Sequence, residues 1–186
     1  MIRKCLQIRE DFELYKRLLE KDKFIEERAI DLVDNGATWR RQNASINHDS
    51  HEDMFFGVDK QKFGNKYGLK IFIKILFDEP VFYFDSDGPA HFNYDKVNGL
   101  SGSSIGTPHF NFYDSEGIKQ ARRTEFIEEN ISRLQNDINF GMEYFCKEAH
   151  INTNSHVPRI REGLQLGIFA NEIDDIHRGV DFLDEI

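Results

Sequence analysis

Leu69-Lys70-Ile71-Phe72-Ile73-Lys74-Ile75-Leu76-Phe77 places apolar residues at a period of two, with lysines and further apolar residues between them. That spacing belongs to a strand whose two faces meet different surroundings. Asp78-Glu79-Pro80 turns the chain, since proline has no N–H to give to a sheet. Val81-Phe82-Tyr83-Phe84 repeats an aromatic β pattern, and Asp85-Ser86-Asp87-Gly88 closes it with residues suited to a tight turn. An antiparallel β-meander of about four or five strands is the economical reading.

Working outward from this meander, the segments 37–47 and 53–58 are short and polar, and are read as strand or loop at the edge of the sheet. From Glu10 to Val33, the positions Leu14, Leu18, Ile25 and Leu32 recur near helical spacing, and Asn35-Gly36 supplies a stop. This predicts an N-terminal helix, bent near Lys21-Asp22-Lys23. Downstream, Ile127, Ile131, Leu134, Ile138 and Phe145 predict a long amphipathic helix over Thr124–His150 that covers the sheet. A linker over 151–158 then leads to a C-terminal helical appendage, 159–186, whose stripe is Ile173, Ile176, Val180 and Leu183. The expected fold class is α+β, with residues 1–150 as its domain.

Composition supports a globular chain of 186 residues, since 39% are hydrophobic, 31% are charged, and 17 phenylalanines supply large areas for burial. The formal net charge of -9 repels phosphate and favours basic partners, so nucleic-acid binding is not expected. Arg40-Arg41 and Arg122-Arg123 are read as solvated pairs. Cys5 and Cys146 form no C-x-x-C, which fits a reducing compartment and no disulfide framework. With no apolar signal region and no long apolar run, the expected location is the cytoplasm rather than a membrane.

Two segments echo each other: Gly88-Pro-Ala-His91-Phe92-Asn93-Tyr94-Asp95 and Gly106-Thr-Pro-His109-Phe110-Asn111-Phe112-Tyr113-Asp114. In strands, His91 and Asn93 share one face, as do His109 and Asn111, so pairing of the segments would set both imidazoles on one polar face. Two such imidazoles can act as base and acid in attack of a 2′-hydroxyl on an RNA phosphodiester, with Tyr94 or Tyr113 nearby. The plainer reading is that these His-Asn pairs line a half-exposed sheet or tie down the Gly/Ser-rich loop 96–106.

Other patterns carry less. His48-Asp49-Ser50-His51-Glu52-Asp53 groups metal-ligating types without a known spacing, so a solvated turn is expected and no metal. Gly102-Ser-Ser104-Ile-Gly106 matches G-x-S-x-G, but a strand rather than a helix follows it, which excludes a nucleophile elbow. Asp85-Ser86-Asp87-Gly88 opens like a calcium loop, yet Pro89 and Ala90 occupy positions that need ligands and glycine. Trp39 is expected in the core.

The order of strand, aromatic strand, Gly-x-x-His91, Gly106-Thr-Pro-His109, aromatic strand, Gly117 and helix resembles small bacterial proteins encoded near toxin–antitoxin and phage-related genes, over about Leu69 to His150. Helices before a meander also resemble, in architecture alone, small ribonuclease toxins of the RelE type, which cut RNA from the sheet. Such toxins usually place several basic residues there, where this chain offers Lys70, Lys74 and two histidines.

Three functions are therefore expected, in this order. The first is an acidic protein-binding module, carried by a phage or mobile element, that engages a basic surface of a host or defence protein through its acidic surface and last helix. The second is a ribonuclease-type toxin using His91 and His109. The third is an oligomerising module, a homodimer through Ile173, Ile176, Val180 and Leu183. No cofactor is expected.

Overall fold

Alternation around Leu69 builds the middle of a nine-stranded sheet in the computed structural model of this protein, which describes residues 4–36, 38–47, 54–94, 101–153 and 156–162. In chain order the elements are α1 (Leu6–Glu10), α2 (Phe12–Glu20), β1 (Phe24–Ile25), β2 (Ala29–Asn35), β3 (Thr38–Asn47), β4 (Met54–Gln61), β5 (Tyr67–Ile73) and β6 (Phe77–Asp85). They continue with β7 (His91–Tyr94), β8 (Ser101–Ile105), β9 (His109–Tyr113), β10 (Lys119–Arg122), α3 (Glu125–Glu129), α4 (Ile131–Asn136), α5 (Ile138–Glu148) and β11 (Arg159–Glu162). The sheet runs β10-β9-β6-β5-β4-β3-β2-β11, with β1 on the end of β3 and β7–β8 as a separate hairpin. The pairings are antiparallel except for β11, which joins β2 in parallel. The α+β class is as expected, and β2 to β6 form the meander.

Register sorts the side chains into two faces. Phe56 lies opposite Ile71, Ile71 opposite Phe82, Leu69 opposite Phe84, and Phe84 opposite Phe110. These face α5, whose Phe145 ring meets Phe56, Phe82 and Phe110 at centroid distances of 5.7, 5.8 and 6.2 Å. Each such buried side chain contributes about 1.5–3 kcal/mol of transfer free energy. α2 packs on the same side, where the Tyr15 hydroxyl donates to the Val81 carbonyl (3.2 Å) and accepts the Tyr113 N–H (2.9 Å), bridging β6 and β9 beyond their last pair. The opposite face displays Phe55, Asp59, Lys70, Phe72, Tyr83, Asp85, His109 and Asn111.

Several expected boundaries move. The N-terminal helix stops at Glu20, because the buried Lys23 ammonium donates to the Leu19 and Lys21 carbonyls at 2.7 Å and so caps the last turn. Ala29–Asn35 is a strand: Ile30 and Leu32 are buried while Val33 is exposed, a period of two. Asn35-Gly36 belongs to the hairpin between β2 and β3, with Asn35 opposite Thr38 and Gly36 at φ 75°. β3 and β4 lie inside the sheet rather than at its edge.

The long covering helix is three helices. Asp137 accepts the N–H groups of Asn139 and Phe140 at 3.0 Å and starts α5 afresh, while the Asn130 side chain takes the Phe126 carbonyl at 2.9 Å. Arg159–Glu162, read as the start of the C-terminal helix, is strand β11. Its outer edge is met by the Asn139 amide, which accepts the Ile160 N–H (2.8 Å) and donates to the Ile160 carbonyl (3.2 Å). The stripe Ile173, Ile176, Val180 and Leu183 lies outside the described residues. No described helix is long and apolar enough to cross a membrane, and Cys5 and Cys146 are buried free thiols.

Candidate acid–base site

Asp85 ends β6 directly opposite His109, which begins β9. Between them the chain leaves the sheet, forms β7–β8 and returns through a cis Thr107–Pro108 bond. The two His-Asn segments therefore do not pair: β7 pairs β8, whereas β9 lies between β6 and β10. Ser101–Ile105, read as loop, is the second strand of that hairpin.

His91 nevertheless meets His109, with ring centroids 6.3 Å apart and planes at 68°. The cause is Asn93, one pleat along β7. Its amide donates to the Ala121 carbonyl (2.7 Å) and accepts the Ala121 N–H (2.6 Å), fastening β7 along β10. Gln120 reciprocates by accepting the Tyr94 N–H and donating to the Tyr94 carbonyl, both at 3.2 Å. The His109 side is held by Arg123, whose guanidinium donates to the carbonyls of Gly106 (2.9 Å), Thr107 (2.5 Å) and Pro108 (3.1 Å). Buried Ser86 ties the turn after β6 to β5, its hydroxyl accepting the Tyr67 N–H at 2.8 Å.

These elements enclose a polar cavity of about 200 Å³, lined by Lys66, Tyr83, Asp85, His91, His109 and Lys119 among others. The His109 Nδ1–H donates to the Gly106 carbonyl (3.1 Å), because a carbonyl can only accept; Nε2 then faces Asp85 Oδ2 at 3.8 Å. Asn111 donates to the same carboxylate oxygen at 3.0 Å. Burial pushes the Asp85 carboxyl above the ordinary carboxylate range and pushes His109 below the ordinary histidine value. Burial thus disfavours the charged form of each, and the two groups face each other across 3.8 Å. His91 Nε2 donates to the Lys119 carbonyl at 3.3 Å, which leaves the lone pair on Nδ1. Lysines supply the positive charge: a methyl on Gly88 would meet Lys66 Nζ at 3.0 Å, and Lys119 Nζ sits 4.6 Å from the Tyr83 ring centroid.

The sequence reading brought His91 and His109 forward and left Asp85 in a turn. Its position facing the second histidine follows from register, which no local pattern supplies. Tyr113 packs against Tyr15 and Phe77 away from the cavity, and Tyr83 takes the place expected of a tyrosine. Arg122 and Arg123 are not simply solvated: Arg122 pairs with Glu148 at 3.0 Å, and Arg123 is the clamp described above. Ser104 is exposed on β8 opposite Phe92. The 48–53 cluster and the side chains of Trp39, Arg40 and Arg41 lie outside the description. Among the described residues, no group of three or more His, Cys, Asp or Glu is placed to hold a metal ion.

A larger groove of about 510 Å³ runs between α2 and β9, lined by Phe12, Tyr15, Leu19, Phe82 and Phe112. Its walls gather apolar rings beside the Arg122–Glu148 ion pair and lack the two facing imidazoles of the histidine cavity. No family model matches this chain, and neither curated proteins nor solved structures show a significant similarity to it.

Proposed function

We propose that this cavity is an acid–base site that cleaves RNA by attack of a 2′-hydroxyl on the adjacent phosphodiester. The observation that carries the reading is the approach of His91 and His109, 6.3 Å between centroids, around one polar cavity lined by Lys66 and Lys119. His91 Nδ1 takes the hydroxyl proton as the 2′-O–P bond forms. A proton carried by the facing Asp85–His109 pair passes to the 5′-oxygen as the P–O5′ bond breaks, giving a 2′,3′-cyclic phosphate and a 5′-hydroxyl. Lys66 and Lys119 offset the charge on the non-bridging oxygens.

The chain's acidity does not oppose this as strongly as its total suggests. Residues 163–186 hold six acidic and one basic residue, so over half of the net charge of -9 lies outside the described strands and helices. A phosphate in the cavity meets Lys66 and Lys119 beside Asp85 and Asp87, so these charges at short range act on it more than the chain total does.

The reading is tested by end-group analysis. A single-stranded RNA incubated with the purified protein should yield 2′,3′-cyclic phosphate ends, and a strand with one 2′-deoxy nucleotide should resist cleavage at that bond alone. Cleavage 3′ of the deoxy nucleotide, or products lacking the cyclic end, would overturn the mechanism.

A further inference from the structure

Beyond the cavity, the same face of the sheet carries aromatic rings in a line. Tyr83 lies on β6 opposite Lys70, Phe72 lies two residues beyond Lys70 on β5, and Phe55 on β4 pairs directly with Phe72. Diagonal neighbours in a sheet are about 7–8 Å apart, so the rings are consecutive steps leading away from the histidines. Phe55 and Phe72 are half-buried although their face is opposite the α5 core, and Tyr83 borders the cavity itself. Lysines accompany them: Lys119 Nζ lies 4.6 Å from the Tyr83 centroid and Lys74 Nζ lies 4.7 Å from that of Phe55. Aromatic rings interleaved with cations on an antiparallel sheet are the chemistry that stacks unpaired bases and follows their phosphates.

We propose that Tyr83, Phe72 and Phe55 form a stacking track that receives the single-stranded part of an RNA whose scissile bond lies at the histidine cavity. The inference rests on the acid–base reading for its register and on the aromatic line for its substrate class. The lysines now over two of the rings do not block it. A partly exposed cation–π contact is worth a factor of about 2 to 5 in an equilibrium constant, whereas a stacked base is worth about 5 to 150. An arriving base displaces the ammonium, which then turns to the neighbouring phosphate. A duplex offers no free base faces, so the track selects single strands.

The test is binding of a short 2′-O-methyl oligouridine, which cannot be cut, against the same sequence in a duplex. The single strand should bind and the duplex should bind at least tenfold more weakly. Phe72→Leu and Phe55→Leu, which keep apolar volume and the strand, should each weaken single-strand binding about 5- to 150-fold. Lys74→Gln should lower the slope of binding on salt by about one ion. Equal affinity for the duplex, or leucine variants within twofold of wild type while folded by circular dichroism, would overturn the track. Because this assay needs no cleavage, its failure is separable from that of the catalytic reading. A protein that binds the strand but cuts nothing keeps the track and loses the acid–base site. One that cuts a dinucleotide but gains no affinity from longer strands loses the track alone.

Discussion

Replacing Asn93 by alanine should lift the hairpin that carries His91. Asn93 is the sole described side chain that both donates to and accepts from the Ala121 backbone, at 2.7 and 2.6 Å. Ala121 is 2% exposed, so water does not readily replace either bond. A typical internal hydrogen bond contributes about 0.5–1.5 kcal/mol, and a buried group left unmade costs about 1–3 kcal/mol. Removing both partners therefore costs about 2–4 kcal/mol, the upper end being limited by opening of β7–β8, which lets water reach Ala121. Asn93→Asp keeps the acceptor but sets a carboxylate against the Ala121 carbonyl, and should cost at least as much. The assay is urea unfolding combined with hydrogen exchange at the Ala121 amide, which should lose protection in the alanine variant. Asn139→Ala removes the equivalent amide at the other end of the sheet, beside Ile160, and its loss should add to that of Asn93→Ala because the sites are distant. Unchanged stability, within about 0.5 kcal/mol, together with unchanged exchange at Ala121 would refute the reasoning.

Three further outcomes are expected. Tyr15→Phe strands the Val81 carbonyl and the Tyr113 N–H that its hydroxyl joins, and should lower stability by about 2–3 kcal/mol in thermal or urea unfolding. Lys23 is lowered by burial from its ordinary 10.5 to about 8, so between those values the unfolded chain binds more protons than the folded one. Stability should rise from about pH 8 to about pH 10.5 relative to Lys23→Met, and be flat with respect to this group below that window. Cleavage should decline along an alkaline limb as the Asp85–His109 pair loses the proton that the acid step needs. The Asp85 carboxylate raises the proton affinity of His109, so Asp85→Asn should move the alkaline limb to lower pH; a limb that stays in place would exclude Asp85 from the proton-holding pair.

What could be read from the sequence was what depends on near neighbours. The alternation that starts at Leu69 and the aromatic strand Val81–Phe84 declare the meander because their signals are local. The turn expected at Asp78-Glu79-Pro80, however, falls at Lys74-Ile75-Leu76, where the Leu76 N–H reaches the Ile73 carbonyl at 2.9 Å, and Pro80 lies inside β6. Ile25 and Leu32 misled because a seven-residue spacing suits a helix face, while the Ile30/Leu32 alternation that the sheet uses spans only a few residues. Asn35-Gly36 is both a helix stop and a hairpin turn, and the choice between them was made by β3. Asp137 and Asn130 divide the covering helix through side-chain bonds that compete with the helix, an outcome visible only with their partners in place. The site divides in the same way. His91 and His109 were legible from their repeated context, but their meeting depends on Asn93 reaching Ala121, and Asp85 joins them through strand register.

The central claim is that His91 and the Asp85–His109 pair act together on one phosphodiester. The most direct measurement is the rate of cleavage of a uridylyl dinucleotide by wild type and by His91→Ala, side by side and both verified as folded. General-base catalysis of this kind predicts that the variant is slower by about 10²- to 10⁴-fold. No cleavage by the wild-type protein, or equal rates for the two, would contradict the account.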